Sequence, residues 1–265
     1  MMKVVYLAWQ NPEDRNWVPV GRLSFENGVY RFVYTKGALR FANFIPFGRM
    51  TDLCAIYESE ELFPLFANRL LSKSRPEYKD FLYWLNVKES EEDPLALLAR
   101  TGGIRETDSL MVFPCPEKTE ENTYHLHFFS QGIRYLPSEI ILRINTLTPG
   151  HLLYLMPDPQ NPNDLFAIAL RTEDPPVIVG YIPRYLNRDF HVFLKEPLRN
   201  TRVVVERVNS EAPMQLRLLC SITASWPEGF KPCSDPDYTP LAPLDNGSKE
   251  ECNLQLSKNR PDLRL

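Results

Sequence analysis

The 265-residue chain lacks most of the features that assign a protein quickly. Its five cysteines, Cys54, Cys115, Cys220, Cys233 and Cys252, are scattered, odd in number and never in CxxC spacing. That usage speaks against a disulfide framework or a zinc knuckle and fits a reducing compartment. No apolar run approaches the roughly 18 residues that a membrane span requires. The opening MMKVVYLAWQNPEDRNW is interrupted at Gln10 and Asn11, too early for a signal h-region. A cytoplasmic protein with no membrane partner is the expectation. Positive charge is not in excess: the net charge is −4, so a broad basic coat for nucleic acid is excluded and any such contact must be local.

Signatures of catalysis are missing as well. No Ser/His/Asp or Cys/His arrangement carries a nucleophile elbow, and the acids Glu58, Glu60 and Glu61 read as the first turn of a helix. His125 and His127 share one strand face without a third Cys, Asp or Glu at ligand spacing, so neither metal nor cofactor is expected. The chain is read as no enzyme.

The residues that are present describe an α+β protein of two domains. Lys3 to Trp9 reads as a strand, and Asn27-Gly28 joins two more (Val18–Phe25 and Val29–Tyr34) in a hairpin, because both turn positions tolerate positive φ. Helical spacing follows over Ser59 to Leu71, from Pro76 to Leu85, and over Asp93 to Arg100 with a capping aspartate, a first-turn proline and Gly102-Gly103 at the end. A strand, Ser109 to Phe113, closes this half. The polar stretch around 114–122 marks the boundary. Beyond it come strand patterns at Tyr124–Phe129, Gly132–Tyr135, Leu152–Met156, Phe166–Arg171, Val177–Tyr181, Thr201–Val208 and Leu216–Thr223, with a short helix inserted at Pro137–Leu147. Many short strands between turn breakers predict a small β-barrel or sandwich. From Trp226 on, and above all after Leu244, the composition turns polar enough to predict a tail.

One stretch asks for more than a fold. In MPDPQNPNDLFAIAL, three prolines and four Asp/Asn residues abut an apolar run; read alone, Asn161 to Asp164 is an Asx turn that launches the strand Phe166–Leu170. A turn of this kind can also hold a ligand. Asp158-Pro-Gln-Asn-Pro-Asn-Asp164, then Ala167-Ile168, then Gly180-Tyr-Ile-Pro-Arg184 together resemble the HIRAN domain, over roughly residues 124–225. The resemblance implies a small OB-like β-barrel that binds single-stranded DNA at a free 3′-hydroxyl end. By the same resemblance Arg134 meets phosphate, Tyr135 stacks on a base, and Asp164 accepts a hydrogen bond from the terminal sugar hydroxyl. Tyr181 and Arg184 take stacking and cationic positions, and Asn163 stands where the family commonly has an aromatic. A basic strip, Arg184, Arg188, Lys195, Arg199, Arg202 and Arg207, against only Asp189, Glu196 and Glu206, suits a short single-stranded site.

The first half resembles the small N-terminal subdomain of HipA-like toxin kinases. The resemblance rests on the opening strand, Val20-Gly-Arg-Leu23, the run from Leu62 to Leu71, and Asp93 to Gly103. It implies a module that docks on a protein partner, through helices around Leu62–Leu71 and Phe81–Leu85, and carries no catalytic residue. The expected organisation is a HipA N-terminal-like domain at 1–116, a linker at 117–123, a HIRAN-like domain at 124–230 and a polar C-terminal tail at 231–265. The expected function is a non-enzymatic DNA-binding accessory protein, in a bacterial DNA-repair, mobile-element or phage-defence context. The alternative is a protein-interaction or antitoxin-like regulator that binds no nucleic acid.

Overall fold

Asn27 and Gly28 both adopt positive φ, 52° and 82°. They turn strand β2 (Trp17–Glu26) back onto β3 (Val29–Tyr34), with Glu26 opposite Val29. The hairpin is the centre of a five-stranded antiparallel sheet in the order β4 (Ile56–Ser59), β3, β2, β1 (Val4–Gln10), β5 (Leu110–Pro114). The structure is a computed structural model, and it describes residues 4–105, 108–197, 200–242 and 252. By their internal contacts the described residues divide into two compact units: those up to 73, within 92–115 and from 233 to 252 form the first, and those within 74–91 and 116–232 the second.

In the first unit Val5, Leu7, Leu23, Phe32 and Tyr34 pack with Phe66, Leu95 and Leu98 in one core. Each such full burial stabilises by ~1.5–3 kcal/mol. The predicted caps hold: the Asp93 carboxylate accepts the Leu95 N–H at 3.0 Å and Gly102 ends helix α3 (Pro94–Thr101) at φ 74°. The helix expected from Ser59 to Leu71 shrinks to α1, Pro64–Ala67. Ser59 is taken by β4, paired with Tyr30, and Pro64 can begin a helix but not sit inside one. Two further expectations are corrected. Cys54 and Cys252 form a disulfide across a sequence separation of 198, a pairing that spacing cannot reveal and that removes the cysteine pattern as support for a reducing compartment. Within the segment expected to be a tail, Leu241 and Ala242 are buried and Leu241 N–H donates to the Tyr34 carbonyl at 2.8 Å. There Tyr238 stands edge-on to Tyr6, with ring centroids 4.9 Å apart.

Helix α2 (Tyr78–Trp84) belongs to the second unit, although sequence order placed it with the first. Polar contacts to strand β10 (Thr201–Val208) and the residue after it explain this. Asn209 Nδ2 donates to the Trp84 carbonyl at 3.0 Å, Arg207 Nη2 donates to Asn86 Oδ1 at 2.7 Å, and the Arg207 guanidinium lies 4.0 Å from the Tyr83 ring centroid. The six-stranded antiparallel sheet of this unit runs β6 (Thr123–Phe129), β11 (Leu218–Ser225), β10, β7 (Leu152–Pro157), β8 (Ile168–Arg171), β9 (Ile178–Tyr181). It curls into a half-barrel whose two edges meet at one end. There Gln131, just past β6, and Tyr181 exchange both backbone hydrogen bonds at 2.8 and 2.9 Å.

Tyr124, Leu126 and Phe128 of β6 face the core with Ile168, Leu170, Val203 and Ile222. His125 and His127 take the outer face, the first beside Thr223 and the second 3.8 Å from Glu206. The inserted helix α4 (Ser138–Ile144) is present and turns Ile144 inward. A further helix, α5 (Asn187–Phe193), was not expected, although Leu186, Phe190 and Phe193 sit at helical spacing and are buried. Among the described residues no helix is long and apolar enough to cross a membrane.

Tyr124 donates its hydroxyl to Asp189 on α5 at 3.2 Å, and burial raises the Asp189 carboxyl from its ordinary 3.8 to about 6 while that hydrogen bond opposes the shift. The folded state therefore holds this proton more tightly than the unfolded chain. The stability this carboxyl contributes is full below about pH 4 and is lost as pH rises toward 6. Asp189→Asn is expected to flatten that fall and to stabilise the unit at pH 7 by up to ~3 kcal/mol, from roughly two pKa units at 1.36 kcal/mol each. Urea unfolding at pH 4 and pH 7.5 checks this; an equal pH dependence in both proteins refutes it.

Candidate nucleic-acid interface

The turn between β7 and β8 is built by its own Asx side chains. Asn161 Oδ1 accepts the Asn163 N–H at 3.0 Å, Asp164 Oδ1 accepts the Phe166 N–H at 3.0 Å, and Ala167 N–H closes onto the Asp164 carbonyl at 3.0 Å. The turn reading of this stretch is therefore right, and the strand starts two residues later than expected, at Ile168. The same aspartate has a second set of partners. Its Oδ2 accepts from Arg184 Nε at 2.9 Å and from Asn187 Nδ2 at 2.7 Å, while Arg184 Nη2 donates to the Asn163 carbonyl. Asn187, the first residue of α5, is 4 % exposed, and its own Oδ1 is buried without a hydrogen-bond partner among the described residues.

Tyr181 ties this turn to the closing edge of the half-barrel. Its hydroxyl donates to Asp158 Oδ2 at 3.0 Å, and its pKa is raised by burial first and by Asp158 second. On its other side, the position where a Cβ on Gly132 would stand is 3.5 Å from the Tyr181 ring. Gly180 admits this closure. A Cβ there would lie 2.0 Å from Ser130 Oγ and 2.7 Å from the Gln131 carbonyl oxygen, at φ +125°, so the G-Y-I-P-R glycine is a packing requirement.

Gly132 to Tyr135, expected as a strand, is a tight 3-10 turn over Ile133–Tyr135, because Gly132 takes φ 78° and turns the chain out of the sheet. Arg134 and Tyr135 project from it. The Arg134 guanidinium stacks 4.7 Å from the Tyr135 ring centroid and donates to its hydroxyl at 2.6 Å, and Tyr135 is 75 % exposed.

Of the seven residues singled out in sequence, Asp164, Arg184 and the Asn163 backbone form one bonded group. Tyr181 joins the neighbouring Asp158 and Asn161. Arg134 and Tyr135 follow directly on the Gly132 contact with Tyr181, but no hydrogen bond joins them to Asp164 or Arg184 among the described residues. Arg188 is exposed on α5. The expected basic strip is divided: Arg184 is paired with Asp164, Arg207 is held by α2, Arg188, Lys195 and Arg202 are exposed, and Arg199 lies outside the described residues. Asp158, Asn161 and Asn187 were not singled out. The first two lay within the quoted motif, and Asn187 was legible only through the missed amphipathic pattern of α5.

A positive, aromatic-bearing turn beside an acceptor-rich loop can take an anionic chain along Arg134 and a flat group on Tyr135. Residues 123–227 match the family model of the HIRAN domain, and this part of the chain is a HIRAN domain. The match does not reach residues 1–116, whose resemblance to the HipA subdomain gains no support from it. Two solved structures are similar. One is a protein from Lactobacillus plantarum, 20 % identical, covering 38 % of this chain and 96 % of that one at TM-score 0.30. The other is the HIRAN domain of human HLTF, 15 % identical, covering 53 % and 95 % at TM-score 0.29. At TM-scores this low the domain assignment rests on the family match alone. No curated protein matches the chain.

Proposed function

We propose that the second unit binds single-stranded DNA at a free 3′ end and that the protein is a non-enzymatic DNA-binding factor. The observation that carries this reading is the exposed Arg134–Tyr135 turn, which starts against the Tyr181 ring in a HIRAN domain whose Asp164 and Arg184 are bonded to each other. Arg134 pairs with no acid among the described residues, so it is open to a phosphate. Asp164 sits 17 % exposed, and its negative charge favours a terminal hydroxyl over the phosphate that an internal nucleotide carries.

The first unit docks a protein partner in this proposal, in a DNA-repair, mobile-element or phage-defence setting. Of the residues expected to form the docking surface, Phe66, Phe81, Leu82 and Leu85 are buried, which leaves the half-buried Leu62, Leu65 and Leu70 and the exposed Pro64 and Ala67 of the first unit to meet the partner. A second reading, an assembly or antitoxin-like regulator without nucleic-acid binding, draws on the mutual engagement of Asp164 and Arg184.

Fluorescence anisotropy with short single strands ending in 3′-hydroxyl or 3′-phosphate separates the two. Salt-sensitive binding with hydroxyl preference is expected, and no binding to any strand at low salt leaves the second reading standing. Arg134→Ala is expected to weaken binding to all sequences alike and to lower the slope of log affinity against log salt by about 0.7, the contribution of one neutralised phosphate on a single strand. An unchanged slope assigns Arg134 no phosphate.

A further inference from the structure

The turn that carries Asp164 continues into two large apolar residues left in water: Leu165 is 74 % and Phe166 64 % exposed. Full burial of such a side chain is worth ~1.5–3 kcal/mol, so two in succession on a turn tip are conspicuous. The Phe166 backbone is nevertheless held on both sides. Its N–H is held by Asp164 Oδ1 at 3.0 Å, and its carbonyl lies 3.1 Å from His191 Nε2. A carbonyl can only accept, so the imidazole carries its proton on that nitrogen. The His191 ring then stands edge-on to Phe166, centroids 5.9 Å apart at 84°, and supports it from one side.

The surroundings name the kind of partner. Arg188 is exposed on α5 three residues before His191 and therefore on the same helix face. An aromatic face in water, braced by His191 and joined through one backbone N–H to the proposed strand-end acceptor, suits a nucleobase. We propose that Phe166, braced by His191, is a second stacking platform that takes a base of the strand whose terminal nucleotide is read at Asp164. This proposal rests on the single-strand-binding reading above. It restores, from a different position, the stacking face that Asn163 lacks.

The test uses the full chain and labelled short deoxyoligonucleotides ending in 3′-hydroxyl, each carrying one abasic nucleotide moved stepwise from that end. Phe166→Ala is expected to weaken binding to the intact strand about 5- to 100-fold, and Phe166→Tyr to restore it. At one abasic position the wild type is expected to lose the same factor, with Phe166→Ala adding nothing further. Wild-type binding that Phe166→Ala leaves unchanged overturns the platform and spares the strand-end site. A loss of equal size at every abasic position makes Phe166 a folding residue and overturns it too. Failure of the wild type to bind any strand removes both readings.

Discussion

Gly180→Ala is expected to destabilise the second unit by about 2–6 kcal/mol, combining an overpacking cost of roughly 1–3 with a similar cost for a side chain at strongly positive φ. The added methyl would meet Ser130 Oγ at 2.0 Å and the Gln131 carbonyl oxygen at 2.7 Å. Neither can step aside freely: Ser130 Oγ donates to the Val179 carbonyl at 3.0 Å, and Gln131 is fixed by its paired bonds to Tyr181. For a domain whose total stability is of order 5–15 kcal/mol, such a change brings it near the unfolding midpoint. Denaturant unfolding measures the loss. Adding Ser130→Ala is expected to recover only part of it, because the Gln131 carbonyl remains in the way. A midpoint equal to that of the wild type would show that the closed end tolerates a side chain.

The larger functional effect belongs to Asp164. In Asp164→Ala three donors, the Phe166 N–H, Arg184 Nε and Asn187 Nδ2, lose their acceptor together. A buried donor left without a partner costs ~1–3 kcal/mol, so some stability is expected to go along with the preference for a hydroxyl end. Asp164→Asn separates the two consequences. The amide keeps an acceptor oxygen for the turn but removes the negative charge, so strands ending in phosphate are expected to bind as tightly as those ending in hydroxyl. Anisotropy titrations of both strand types against the three proteins decide this. Retained hydroxyl preference in both variants would remove Asp164 from the recognition of the end.

The legibility of these residues in the sequence was uneven, and the reasons are physical. Asn27-Gly28, Asp93 with Pro94, and Gly102 act over a few residues of backbone, and each does in the structure what its local chemistry predicts. Thr201–Val208 is rich in β-branched residues and forms the strand with the expected bounds. Ser59 failed as a helix start because pairing with Tyr30, twenty-nine residues away, overrode its helical spacing. Gly132-Ile-Arg-Tyr135 was read as a strand for its β-forming residues, yet the positive φ of its glycine turned it outward and thereby exposed Arg134 and Tyr135. Asp164 and Arg184 were found by their motifs, but the bond from Asn187 depends on a helix that was missed.

The sequence by itself determined the hairpin, the caps, most of the strands of both halves, and the motif that marks residues 123–227 as a HIRAN domain, since each depends on short-range backbone preference or on a fixed string of residue types. Only the tertiary structure decided that α2 joins the second unit, that Cys54 reaches Cys252, and that residues 236–242 return to the first sheet. It also decided that the half-barrel closes through Gln131 and Tyr181 over a glycine with no room for a methyl. Those features are contacts between groups tens to hundreds of residues apart, set by which surfaces remain to be buried once the strands have paired, and no local pattern encodes them.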